Sequence, residues 1–115
     1  MSTNPSAAAK VPHAIATYES ARFDDVSTAL AQFADDARVI DDGKTYDGLV
    51  GVESFLRTAG SEYSYTVTLV SAVEVSPDHW LVTNRLEGNF PGNRVDLTYD
   101  FRLANGLIKH LAIAP

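Results

Sequence analysis

From Arg94 to Ala104 the chain alternates without a break, with Val95, Leu97, Tyr99, Phe101 and Leu103 on one side and Asp96, Thr98, Asp100 and Arg102 on the other. A period of two over that length is a long strand with one apolar and one polar face. Strand-like stretches lie on either side of it, at Tyr63 to Val75, His79 to Phe90 and Leu107 to Ala114. Pro77-Asp78, Pro91-Gly92-Asn93 and Asn105-Gly106 are the turn signals that separate them. Short turns between long strands predict an antiparallel meander. Such a sheet has an apolar face that must be covered, and the cover has to come from the first half of the chain.

That half carries helical spacing. Ile15, Tyr18, Phe23, Val26, Leu30 and Phe33 recur at roughly helical intervals. Pro12 suits the first turn of a helix from Val11 to Ala21, with Ala14, Ile15, Tyr18 and Ala21 inward and Glu19 and Arg22 toward the edge or solvent. Asp24 or Asp25 caps a second helix that runs to about Phe33. Asp35-Asp36 then caps or solubilises a turn, and Ala37 to Ile40 reads as a short strand that delivers Asp41 to a turn at Asp42-Gly43. Asp47-Gly48 marks another turn before a third helix, Leu49 to Ala59, with Val52, Phe55, Leu56 and Ala59 inward and Gly60 as its stop. The expected fold class is α+β, with three N-terminal helices packed on a curved antiparallel sheet, in one domain from 11 to 115 behind a flexible leader over 1–10.

Composition narrows the function classes. With 115 residues, 45% of them hydrophobic and 21% charged, the chain has the makings of one soluble core. It contains no cysteine, which removes disulfides, thiolate nucleophiles and zinc–thiolate sites. A net charge of -6 and scattered arginines argue against nucleic acid as a partner. No apolar run approaches the roughly 20 residues needed to cross a bilayer, so no membrane partner is expected and a cytoplasmic location is the simplest reading. Glycine-rich nucleotide loops, nucleophile elbows and His-Glu-x-x-His helices are all missing. His13, His79 and His110 are too scattered to suggest a metal, and no cofactor is expected.

Three local stretches carry a family likeness: Phe33-Ala34-Asp35-Asp36-Ala37-Arg38-Val39-Ile40-Asp41, then Tyr46-Asp47-Gly48, then Phe101-Arg102-Leu103 ahead of Asn105-Gly106-Leu107-Ile108. With the order helix, helix, short strand, helix and long meander, the chain resembles the nuclear transport factor 2-like superfamily, especially its small SnoaL-like and ketosteroid-isomerase-like members. The resemblance implies a cone-like fold around a largely apolar cavity, often paired as a homodimer. It also implies proton-transfer chemistry in some members and plain binding in others. In the isomerase-like members an Asp at the end of the first strand is the base, and Asp41 holds that place. Tyr18 matches the oxyanion-stabilising Tyr if one residue is gapped, and Thr17 if none is. By the Phe101-Arg102-Leu103 register the second, acidic oxyanion donor matches Tyr99, which is not an acid, and Asp100 points the other way in the alternation, so the full steroid-isomerase set is absent.

The candidate catalytic residues are therefore Asp41, as a carboxylate able to take a proton next to a carbonyl, and Tyr18, as a donor to the oxygen that becomes negative. Tyr99, Asn84, Trp80, Phe55, Phe101 and His110 are the candidate ligand contacts. Asn84 qualifies if Val82, Asn84 and Leu86 face inward, which leaves Arg85 and Glu87 outside; in the opposite register it faces solvent. Tyr46, Tyr63 and Tyr65 read as covers for the core edge. The expected activity is binding of a small hydrophobic or carbonyl-bearing molecule, with isomerase or lyase chemistry by cofactor-free proton transfer. The alternative is a noncatalytic binding or dimerisation module, in which Leu69 or Leu111 faces out to pair two copies.

Overall fold

A computed structural model of the chain describes residues 11–58 and 63–115. The expected leader and the Gly60 helix stop lie outside these residues. In chain order the elements are α1 (His13–Ala21), α2 (Val26–Leu30), β1 (Phe33–Asp41), β2 (Lys44–Asp47), α3 (Gly48–Thr58), β3 (Tyr65–Ser76), β4 (His79–Gly88), β5 (Arg94–Ala104) and β6 (Leu107–Ala114). Among them no helix is long and apolar enough to cross a membrane. The architecture is α+β, a six-stranded curved sheet with helices.

The strands run in the order β2-β1-β6-β5-β4-β3. β3 to β6 form the expected antiparallel meander, in which Val82 pairs with Tyr99 and Phe101 with Leu111. One junction departs from expectation: β1 and β6 are parallel. The last strand of the meander returns beside the first strand of the chain, and no local pattern encodes a pairing between residues about seventy positions apart. The sheet is therefore mixed rather than wholly antiparallel.

Two further differences concern β1. It starts at Phe33, so Phe33 opens a strand and α2 ends at Leu30. Asp35 and Asp36 hid this start, because they sit exposed within the strand where its register against β6 shifts, and they break the alternation. Asp36 is ion-paired to Lys109 of β6, so it ties two strands together rather than capping a turn. β2 was not expected at all. Asp42 and Gly43 both take positive φ, 53° and 76°, which closes a two-residue hairpin that pairs Asp41 with Lys44. The hairpin fixes where the Asp41 side chain emerges.

Asp25 caps α2, accepting from the Thr28 amide at 3.1 Å and the Thr28 hydroxyl at 2.6 Å. The core lies between α1, α3 and the concave face of the sheet. Tyr18 of α1 meets Phe33 and Phe101 edge to face, each with centroids 5.7 Å apart. Leu111 lies in this core, fully buried, which corrects its expected outward placement; Leu69 is half-buried.

At the end of β4, Gly88 lies so close to β3 that a Cβ there would sit 2.7 Å from Tyr65 Cα and closer still to the Ser64 carbonyl oxygen. Backbone cannot yield as a flexible side chain does. Gly88→Ala should therefore cost about 2 kcal/mol by overpacking, read as a lowered urea midpoint with an unchanged m-value.

Candidate functional site

The inward face of β4 and β5 continues past the packed core and leaves a cavity of about 150 Å³ under α1 and α3. Phe55, Leu86, Leu97 and Ile113 form its apolar wall. Arg22, Asp41, Tyr65 and Tyr99 supply its polar groups. A few converging polar groups in an apolar hollow are what a small-molecule site needs.

Asp41 stands half-buried at the end of β1. Burial, and then the charge of Asp42, raise its carboxyl above the ordinary range; Arg22 and Lys44 pull the other way and do not cancel the shift. Tyr99 is buried on β5, across β6 from Asp41, and its hydroxyl accepts a 2.6 Å hydrogen bond from Arg22 Nη2. The Tyr99 hydroxyl hydrogen is thus left free to be donated elsewhere. Burial raises the Tyr99 and Tyr65 hydroxyls above their ordinary values, so both stay protonated donors at neutral pH.

Arg22 corrects the sequence reading most sharply. Expected toward the edge or solvent, it is only 8% exposed, and its guanidinium lies 5.0 Å from the ring centroids of Tyr18, Phe23 and Tyr99. Burial opposes its charge, but the surroundings formed by Tyr18, Tyr99 and Glu19 outweigh that and hold it protonated. Glu19 lies 3.9 Å from Arg22 Nη1 and accepts a 2.9 Å bond from Asn84 Nδ2. Burial lifts the Glu19 carboxyl, against the opposing pull of Arg22 and Asn84. Tyr18 and Arg22 are four residues apart, so one helical face carries both. That spacing was the available clue, overridden because a charged residue beside Glu19 reads as surface.

Of the residues named from sequence, Asp41, Phe55 and Tyr99 line the cavity. Asn84 faces inward, fully buried, but it serves Glu19 from behind the wall. Tyr18 is fully buried and lines a small pocket beside the main one; its hydroxyl is held protonated by burial and has no hydrogen-bond partner among the described residues. Phe101 and Trp80 are core residues away from the cavity. His110, half-buried on β6, lies opposite Arg38 and Arg102 and away from the cavity as well. Asp100 points to the other face, where it meets His79 Nε2 at 2.8 Å. Among the described residues no His, Asp and Glu group is placed to hold a metal ion.

No protein-family model and no curated protein matches the sequence. Among solved structures, a Sinorhizobium meliloti protein provisionally assigned as a polyketide cyclase is 30% identical, with a TM-score of 0.86 over 93% of this chain and 98% of that one. The chain belongs to the nuclear transport factor 2-like superfamily. Two more distant NTF2-like neighbours share its fold. One is a Mycobacterium tuberculosis protein in complex with estradiol-17β-hemisuccinate, 23% identical, with a TM-score of 0.73 over 89% of this chain and 90% of that one. The other is the Δ5-3-ketosteroid isomerase of a Mycobacterium species, 23% identical, with a TM-score of 0.71 over 89% of each chain.

In this NTF2-like chain the buried charges make two predictions. Glu19→Ala leaves Arg22 without its carboxylate and Asn84 without its acceptor, and should cost about 3 kcal/mol at neutral pH by urea unfolding. The second concerns Asp41, whose folded-state pKa is raised, so folding disfavours its ionised form. Its stabilising share is complete below the ordinary carboxylate value and is lost as pH rises through the raised one. Measured against Asp41→Asn across that window, wild type should therefore lose relative stability as pH rises. A constant difference would show that Asp41 titrates as it does in the unfolded chain.

Proposed function

We propose that this protein takes up a small, largely apolar carbonyl compound and that Asp41 moves a proton on it without a cofactor. The observation that carries this reading is the convergence of the Asp41 carboxylate and the Arg22-bonded Tyr99 hydroxyl on one apolar cavity. Asp41, ionised, would take a proton from the carbon next to the ligand carbonyl. The C–H electron pair becomes the carbon–carbon double bond of the enolate, and the carbonyl pair moves onto oxygen. Tyr99 would donate its free hydrogen to that oxygen, while Arg22, held charged behind it, makes the hydroxyl a stronger donor. Return of the proton from Asp41, to the same carbon or to another along the conjugated system, completes an exchange or an isomerisation. The raised carboxyl of Asp41 suits this role, since a stronger base results as long as it remains ionised at working pH.

Relatedness to a provisionally assigned polyketide cyclase supports chemistry at a carbonyl, and the estradiol derivative held by a distant neighbour supports apolar ligands. The cone-like cavity and the pairing of two copies expected for the family belong to the same proposal.

The reaction can be followed by NMR as loss of α-proton signal from cyclohex-2-enone or 2-pentanone in deuterium oxide. Wild type should accelerate exchange, and Asp41→Asn should lower the rate by about 10²-fold or more while still binding the ketone. The wild-type rate should fall on acidification with a midpoint above the ordinary Asp value. Equal rates for wild type and Asp41→Asn would remove Asp41 from the role of base.

A further inference from the structure

Glu19 does not line the main cavity, yet it pairs with the one cation that does. Its Oε2 lies 3.9 Å from Arg22 Nη1, too far for a hydrogen bond, and is held at 2.9 Å by Nδ2 of Asn84, which comes from β4. The two charged side chains are 12% and 8% exposed, so the field between them is little screened by solvent. The pairing is one of charge alone.

Arg22 thus meets carboxylates on two sides. Asp41 shares the cavity wall with it, and the guanidinium favours the ionised form of that acid; Glu19 stands outside the wall. Were Glu19 uncharged, the positive charge of Arg22 would fall to Asp41, or to any anion that entered the cavity. An Asp held by a guanidinium is a weaker base, and a guanidinium without a counter-charge is a receptor for carboxylates. With Glu19 ionised, Arg22 is already matched and Asp41 turns the site negative.

We infer that Glu19 is a specificity-determining residue that acts through Arg22: by matching the guanidinium from behind the wall, it leaves Asp41 unpaired for work as a base and closes the cavity to carboxylate ligands. The inference rests on the reading of Asp41 as that base. The charged and titratable groups around Asp41 are Arg22 and Tyr18 from α1, Asp42 and Lys44 from its own hairpin, and Tyr65 from β3. Those around Glu19 are Arg22, Tyr18 and Tyr99. From α3, β4 and β6 the cavity receives only Phe55, Leu86 and Ile113, which carry no charge. Arg22 and the Asn84 bond both favour ionised Glu19 against the effect of its burial.

Glu19→Gln separates charge from packing. It keeps an acceptor for Asn84 and breaks no hydrogen bond to Arg22, because none is made. Two readouts follow it without turnover: the titration of the Asp41 carboxyl by carbon-13 NMR, and calorimetric binding of benzoate against its neutral isostere benzamide. In Glu19→Gln the Asp41 midpoint should fall by about one pH unit, and the wild-type preference for benzamide over benzoate should shrink about tenfold, the same differential interaction read as affinity. Glu19→Asp keeps the charge and should stay closer to wild type than to Glu19→Gln in both. An Asp41 midpoint that does not move in Glu19→Gln, or a wild type that takes benzoate as tightly as benzamide, would overturn the inference. If Glu19→Gln does not fold, wild type decides: the glutamate carboxyl signal missing from Glu19→Asp identifies Glu19. Finding it protonated at pH 7 would overturn the inference, since a neutral acid cannot match a guanidinium; finding it ionised is the result expected. Absence of ketone exchange by wild type, with the Asp41 midpoint still lowered in Glu19→Gln, would instead overturn the function proposed above and uphold the matching of Arg22 by Glu19.

Discussion

A single buried guanidinium governs the interior of this protein. Arg22 ends the first helix inside the fold, under three aromatic rings, and no other cation lies among the buried side chains described. A charge taken out of water must be matched where it sits. Glu19 supplies the opposite charge from the same helix, Tyr99 an acceptor from β5, and Asn84 steadies Glu19 from β4. These contacts bind α1 to the middle of the sheet by polar means, at the place where apolar packing stops and the cavity begins.

The position of the cavity follows from how the apolar residues are shared out. Toward one end of the sheet, Tyr18, Phe33 and Phe101 interlock and fill the space between helix and strands. Toward the other, Phe55, Leu86, Leu97 and Ile113 line the interior without filling it. Arg22 stands at the boundary, and the Asp42-Gly43 hairpin brings Asp41 to the same hollow from β1. Asp41 and Tyr99 thus come from β1 and β5, the two strands that flank β6, each held by strand backbone rather than by a loop. Such mounting holds both side chains more precisely than a loop would.

Much of the fold was legible. β5 and β6 fall where alternation and the turn residues put them, and Asn84 faces inward in the register that joins it to Val82 and Leu86. The family likeness, read from three short stretches, agrees with the solved structure of a relative. What escaped was non-local or masked by charge. Asp35 and Asp36 concealed the start of β1, and β2 was too short to stand out beside its turn. Arg22 was misplaced because charged residues at a helix end are usually solvated, and only the arrival of Tyr99 from seventy-seven positions away makes its burial tolerable.

The sequence by itself determined α1, α3 and the four strands of the meander, their apolar faces and the presence of Asp41 after the first strand, since these follow from periodicity, turn chemistry and backbone preference within a few residues. Tertiary structure alone decided that β1 lies parallel to β6, that Tyr65 and Arg22 reach the cavity, and that Phe101, Trp80 and His110 do not. Those outcomes depend on which distant surfaces meet, and on the cost of leaving a buried charge or hydrogen-bonding group unmatched when they do.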